Sequence, residues 1–333
     1  MICDATNRSS LHLRQRICQM LKPAVRHAFA IFSGAVYEWS EDKVPRMAAA
    51  TAFYAVFSLT PIIVIAYKLA AWIFTKEVAL HQILTQSAFL IGTEGADGIR
   101  SLIENAQPQP MSSLSTGFGL AAMVFATTGV FTELKDSLNT IWEVQPRPGI
   151  GVVEMIRHRF FAFAMVLVIW FLMLISLVAS TAMSALSEYA SFKFIGVQAC
   201  ESVLSLTLIT MLFALIYRVL PDVTVAWRDV WFGSLITAIL FVVGKSLFGL
   251  YLGHSSIGRS YGAAGSLVIV ILWTYYSCLI LLFGAEISQV QCRLRHAPVT
   301  PNETAVHVTE HSRAQQGIPR TEDIKAAADE TNT

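Results

Sequence analysis

Apolar and polar positions alternate along this chain in long blocks. Valine, leucine, isoleucine and phenylalanine dominate residues 160–183, 203–220, 230–252 and 263–285. Each block is close to the ~20 apolar residues that carry a helix across the ~30 Å hydrocarbon layer. Two further blocks qualify. Residues 47–74 hold Pro61 in mid-run, where the ring removes a backbone donor and crowds the preceding turn. A kink and candidate hinge is expected there, with Ser58 or Thr60 bonding the freed backbone. Residues 116–132 are short and rich in glycine, alanine and threonine, the small residues that let helices approach closely in lipid. The pattern predicts an all-α fold, a polytopic membrane helix bundle with six transmembrane helices.

The segments between and around these blocks read differently. Residues 76–115 are too polar to span and are expected as an outer loop. Within it Ile99, Leu102, Ile103 and Ala106 mark one short amphipathic helix, bounded by Gly95, Gly98 and the break at Pro108 and Pro110. Upstream of the first span, Leu21, Val25, Ala28, Phe32, Val36 and Trp39 recur at helical spacing beside Arg14, Arg16, Lys22 and Arg26. That helix lies in the membrane surface or packs on the bundle's own inner face, and Pro45 is expected to end it. Beyond Gln291 the chain is polar with no period that could bury a core, so it reads as disordered. Three parts follow: residues 1–46 with the amphipathic helix, 47–290 as the six-helix domain, and 291–333 as a cytoplasmic tail.

Composition agrees with the pattern. With 54% hydrophobic and 14% charged residues and a mean hydropathy of +0.55, the chain is far from the roughly 25% charge of soluble domains. A net charge of +1 gives no basis for nucleic-acid binding. The five cysteines show neither a paired spacing nor a CxxC metal site. Charge placement sets the orientation. Six spans leave Arg46, Lys135, Arg147, Arg157, Arg159, Arg218, Arg228 and Arg293 on one side and only Lys76, Arg100, Lys193 and Arg259 on the other. The positive-inside rule then puts both termini in the cytoplasm.

Candidate chemistry is sparse. Hydrolysis assisted by metal ions needs histidines and carboxylates converging in a cleft, and here the histidines are scattered. The one metal-like spacing, His307-Val308-Thr309-Glu310-His311, matches H-x-x-E-H but falls in the polar tail without helical context. No metal, cofactor or catalytic residue is assigned.

The ionisable groups of the spans carry more information. Lys68 and Lys245 lie about 31 and 24 Å from the inner ends of their helices at about 1.5 Å per residue, near the outer headgroups. They snorkel there, or they converge with Arg259 as a basic pocket for an anionic headgroup, lined by Tyr251, His254 and Tyr261. At the inner ends Glu133, Asp136, Arg218, Asp222, Arg228 and Glu286 form a candidate gate, Glu286 standing out because Gly284 and Ala285 precede it. Gly249 and Gly253, and Gly258 and Gly262, are spaced for close helix contact or for a re-entrant outer segment.

Several of these blocks together resemble one family. They are Asp42 to Pro61 with its core from Ala52, Leu138-Asn139-Thr140-Ile141-Trp142, Pro221-Asp222-Val223 with Trp227-Arg228, Lys245 to Tyr251, Ser260-Tyr261-Gly262, and Trp273-Thr274-Tyr275 through Phe283-Gly284-Ala285-Glu286. In this order they resemble the YihY/BrkB family of bacterial inner-membrane proteins, over roughly residues 25–292. The resemblance implies a six-helix, envelope-associated, transporter-like protein. One branch of that family is called a serum-resistance virulence factor, and the family carries an old ribonuclease label. The expected function is movement or flipping of an anionic amphiphilic envelope lipid or precursor. A membrane scaffold for envelope-assembly proteins is the alternative, and a membrane-bound hydrolase a remote one. Membrane lipids are the expected partners.

Overall fold

The computed structural model describes residues 23–73, 75–105, 129–147, 195–254, 265–295 and 299–321. The expected span over 160–183, most of that over 116–132, and the turn holding Arg259 and Tyr261 lie outside these residues.

The amphipathic segment forms helix α1 (Pro23–Glu41), which packs on the bundle by one face. Ile31 and Ala35 are buried against Ile287 and Val290, while Val25, Phe29, Phe32 and Val36 form an exposed apolar stripe. Its end differs from expectation. The chain leaves the helix at Glu41, Lys43 takes a left-handed φ of 54°, and Pro45 sits in the first turn of α2 (Val44–Ile73). A proline is tolerated there because that turn's N–H groups lack helical partners anyway.

Helix α2 covers the expected first span and stays helical through Pro61. The proline frees the carbonyl of Phe57, but Ser58 Oγ donates to the Ala55 carbonyl at 2.9 Å instead. Ser58 therefore does not make the repair expected of it.

The outer loop expected over 76–115 is also corrected. Residues Lys76–Asn105 form one 30-residue helix, α3, started by Thr75, whose hydroxyl accepts from Val78 N. Its helical period begins before Gly95. Leu80, Ile83 and Leu84 already adjoin the apolar cluster that Ile99 and Ile103 form with Val270 and Trp273. A mixed composition hid a helix whose apolar face is satisfied by its neighbours and whose polar face, with His81, Asp97, Arg100 and Glu104, is exposed.

Helix α4, described over 129–141, continues past the expected second span and leads to β1 (Val144–Pro146). Helix α5 (Ile195–Val219), strand β2 (Val223–Thr224), helix α6 (Trp227–His254) and helix α7 (Gly265–Leu294) follow. Among the described residues three helices contain stretches long and apolar enough to cross a membrane: Ser202–Val219 in α5, Trp227–Tyr251 in α6 and Leu267–Leu294 in α7. On α6 the exposed residues Trp231, Leu235, Ile239, Val242 and Leu250 form a lengthwise stripe. An apolar face of that length belongs against lipid. The chain is a helical membrane protein.

Contact between α6 and α7 is close, but not at Gly249, while Gly258 and Gly262 lie outside the described residues. A Cβ on Gly249 would meet nothing within 4 Å. The tight crossings are at Gly233, where a Cβ would stand 2.6 Å from the Gly284 carbonyl oxygen, and at Gly244, where it would stand 2.3 Å from the Tyr276 ring. Gly284 admits the Tyr217 hydroxyl and Thr237. Tyr217 Oη donates to the Leu281 carbonyl at 2.7 Å and lies 2.9 Å from Thr237 Oγ1, tying α5, α6 and α7 together.

The tail departs furthest from expectation. Residues 299–321 form β3 (Thr300–Pro301), β4 (Ala305–His307) and α8 (Glu310–Gln315). β4 pairs antiparallel with β1, and β3 with β2. The segment has no core of its own. Its order comes from backbone pairing and ion pairs with the inter-helix loops, which a search for apolar period does not detect. These contacts gather at the end of the bundle that carries most arginines, termed the basic end below.

Candidate functional site

The loop after α5 brings Asp222 to the α4 helix. Asn139 Nδ2 donates to Asp222 Oδ2 at 3.0 Å, Asn139 Oδ1 accepts from Asp222 N at 2.8 Å, and Lys135 Nζ stands 2.9 Å from Asp222 Oδ2. Asp222 and Asn139 are both buried, and a buried carboxylate needs this kind of complete partnering. Arg218 and Arg228 of the candidate gate stand apart from this group. Arg218 lies over the Trp227 ring, 4.5 Å from its centroid, and Arg228 is exposed.

Between α2 and α4 a cleft of about 470 Å³ opens at the basic end. Arg46, Met47 and Ala50 line it from α2, and Glu133, Asp136, Ser137, Asn139 and Thr140 from α4. Val144, Gln145 and Pro146 of β1, with Gln316 and Ile318 of the tail, complete the wall. Partial desolvation at the cleft wall and the nearby Glu133 charge push the Asp136 carboxyl up to about 6; Lys135 opposes this and Asp222 adds to it. Two acidic groups three residues apart on one helix face raise one another's proton affinity.

Around the tail lies a second charged layer. Arg313 Nη2 meets Asp42 Oδ1 at 2.6 Å, with both side chains 3% exposed. Arg293 pairs with Glu38 at 2.5 Å, Arg320 with Glu143 at 2.5 Å, and Arg295 with Asp229 at 3.2 Å. Lys43 Nζ donates to the Gly317 carbonyl at 2.7 Å. These pairs were missed in the sequence, because Arg313 and Arg320 lie in a stretch without periodicity and their partners lie over 170 residues away.

Glu286 sits above this layer, 0% exposed on α7, and neither carboxylate oxygen has a hydrogen-bond partner among the described residues. Asp42, Glu38, Arg293 and Arg313 all act on it electrostatically, from α1, the α1–α2 turn, α7 and the tail. The nearest counter-charges are therefore already engaged with other carboxylates.

At the opposite end Lys68 is exposed and Lys245 partly buried. Tyr67 and Phe248, close to them in sequence, adjoin the same apolar cluster around Trp273. Tyr251 is exposed. The side chain of His254, together with Arg259 and Tyr261, lies outside the described residues, as does the side chain of Pro61. His307 and His311 do not share a helix face. His307 is on β4, whereas His311 is on α8 and lies 3.0 Å from Gln315 Nε2. Among the described residues no group of three metal-ligating side chains gathers.

Known proteins share this chain's pattern. The family described as "Virulence factor BrkB" matches residues 35–306. A UPF0761 membrane protein of Ralstonia nicotianae is 27% identical over 74% of this chain and 55% of its own length. One of Azotobacter vinelandii is 27% identical over 74% and 59%, and one of Psychromonas ingrahamii 29% identical over 81% and 89%. The chain thus spans under two thirds of the first two relatives and most of the third. No solved structure matches it. The matched region runs from α1 through β4 and takes in α2, α4, the Asp222 loop and Glu286, so the chain belongs to the virulence factor BrkB family.

Proposed function

We propose that the protein moves or flips an anionic amphiphilic envelope lipid across the bacterial inner membrane, with its basic end in the cytoplasm. The observation that carries this reading is Glu286. A fully buried carboxyl group on a membrane helix, with neither oxygen hydrogen-bonded among the described residues, opposes stability, and ionisable groups buried inside a helix bundle mark pathways and coupling sites. The tight crossing of α6 on α7 at Gly233 supports it, since movement between packed helices needs smooth, small-residue surfaces. Lys68 and Lys245 supply positive charge at the opposite end, where an anionic headgroup would arrive.

In cells that depend on the protein, Glu286→Gln and the double change Lys68→Ala, Lys245→Ala are expected to retain normal membrane abundance and to lose envelope function. Wild-type function in both variants would reject this reading. A second reading is a membrane scaffold, favoured by the exposed apolar stripe of α1. Under it, changing Phe29 and Phe32 to serine impairs function more than either charge variant does. We assign no catalytic role.

A further inference from the structure

Three carboxyl groups meet two guanidinium groups where α7 passes the α1–α2 turn. Glu38 of α1 pairs with Arg293, and Asp42 of the turn pairs with Arg313 of the tail. Glu286 is the third acid, and all four of those groups act on it electrostatically. Two arginines matched to two acids leave the third without a counter-charge of its own among the described residues. The flanking charges are turned elsewhere. Lys43 donates to the Gly317 carbonyl, Glu41 accepts from Thr321, and the exposed Arg46 of α2 lines the cleft toward α4. On α6 Asp229 is held by Arg295, and on α4 Glu143 is held by Arg320 with Arg293 at 3.5 Å. Tyr217 of α5 uses its hydroxyl on the Leu281 carbonyl.

Unused hydrogen-bonding groups mark the same layer. Both Glu286 oxygens, Nε of Arg313 and Oε1 of Gln289 are buried without a partner among the described residues. Arg313 bonds Asp42 through Nη2, so its Nε–H is a donor available to a charged Glu286. In a buried layer an unmatched carboxylate is costly enough that the group takes a proton instead. Glu286, Gln289 and Arg293 recur at i, i+3 and i+7, one face of α7. Burial falls along that face, from the fully buried Glu286 to the half-exposed Arg293, so water meets it at the basic end. Outside the spans, burial pushes the Asp42 carboxyl up to about 6 against the Arg313 hydrogen bond and charge, and Glu38 and Glu143 add to the rise. The layer as a whole is short of positive charge.

We infer that Glu286 is a proton-binding site filled from the basic end, and that its proton keeps the tail docked. In uptake, hydronium at the Arg293 end gives its proton to the Glu286 carboxylate and water is left. With the proton bound, two anions face two cations and Arg313 stays on Asp42. Once the proton leaves, three anions share two cations, Glu286 competes with Asp42 for Arg313, and the tail's hold on the bundle loosens. Tail docking therefore takes up a proton, and it weakens as pH rises. This site shares Glu286 with the lipid-moving reading but does not require that lipid move.

The test uses the purified full chain in detergent, so its outcome is separate from that of any lipid-movement assay. Hydrogen–deuterium exchange, corrected for the intrinsic effect of pH, reads the protection of the β4 amides as pH is raised from about 5 to about 9. Protection is expected to fall about tenfold or more in the wild type and less than about threefold in Glu286→Gln, which has no proton to lose. Glu286→Asp, which keeps a carboxyl group, should regain the pH dependence. The tail's own His307 and His311 are present in every variant, so the comparison cancels them. Infrared difference spectra over the same range should show a protonated-carboxyl band lost in the wild type and missing from Glu286→Gln. Wild-type protection independent of pH, an equal pH dependence in Glu286→Gln, or no such band overturns the inference. Protection that falls as pH is lowered places the proton on Asp42 instead and overturns it, and protection that follows sodium concentration at fixed pH assigns the site to a metal cation and does the same.

Discussion

At the scale of single residues, the protein keeps its charges where they are expensive and compensates them unequally. Asp42 and Arg313 compensate each other directly. Arg313→Ala leaves the Asp42 carboxylate buried without its cation, and about 3–5 kcal/mol of stability should go with it, read as a lowered unfolding temperature in detergent. Replacing both partners, Asp42→Asn with Arg313→Leu, should recover most of the loss, because no unpaired charge remains. Asp136 behaves oppositely. Its carboxyl is raised to about 6, above its ordinary value, so the charged form is less at ease in the folded chain than in the unfolded one. The folded state gains stability from the proton at low pH and loses it as pH rises through this range. Asp136→Asn is therefore expected to stabilise the protein at pH 7.5 and change little at pH 4, by no more than about 1 kcal/mol given the exposure of the group. Equal effects at both pH values would contradict this. Of these residues, Asp136, Asp222 and Glu286 were legible in the sequence because they interrupt or follow apolar runs. Arg313 and Asn139 were not, because their meaning lies in partners that only the fold reveals.

Among elements, apolar length proved the most readable signal. Helices α2, α5, α6 and α7 lie where the blocks of apolar residues put them, since a helix buried in lipid needs little beyond such a block. Helix α3 was hidden because half of its surface is polar, and its apolar half only becomes meaningful beside Trp273. The spacing at Gly249 was misread for a related reason. Gly249 and Gly253 satisfy the small-residue rule, yet Gly249 faces open space, while Gly233, Gly244 and Gly284 make the contacts. Spacing tells which residues share a face, not whether that face meets a neighbour. The two cases separate experimentally. Gly233→Val forces a Cβ into the Gly284 backbone and should cost about 1–3 kcal/mol or prevent assembly. Gly249→Ala meets nothing and should be neutral or stabilising by up to about 1 kcal/mol. Unfolding in detergent distinguishes them, and a reversed order would remove the close α6–α7 crossing from the account.

The molecule as a whole is a membrane bundle whose basic end is fastened to its own tail. Strands β3 and β4, helix α8 and a buried arginine fasten residues 299–321 to loops that stand more than 70 residues earlier in the chain. The tail therefore belongs to the folded body rather than trailing from it. Above that end, Glu286 remains an acid in an apolar helix, and the account rests on its serving movement of lipid rather than structure. The most direct measurement places purified wild-type protein in sealed vesicles carrying a fluorescent phosphatidylglycerol and follows bleaching by a reductant that does not cross the bilayer. Lipid from the inner leaflet should become accessible much faster with the wild-type protein than in vesicles without protein, and Glu286→Gln should return the rate to that background. A wild-type rate no faster than the protein-free background, or a Glu286→Gln rate equal to wild type, would contradict the account.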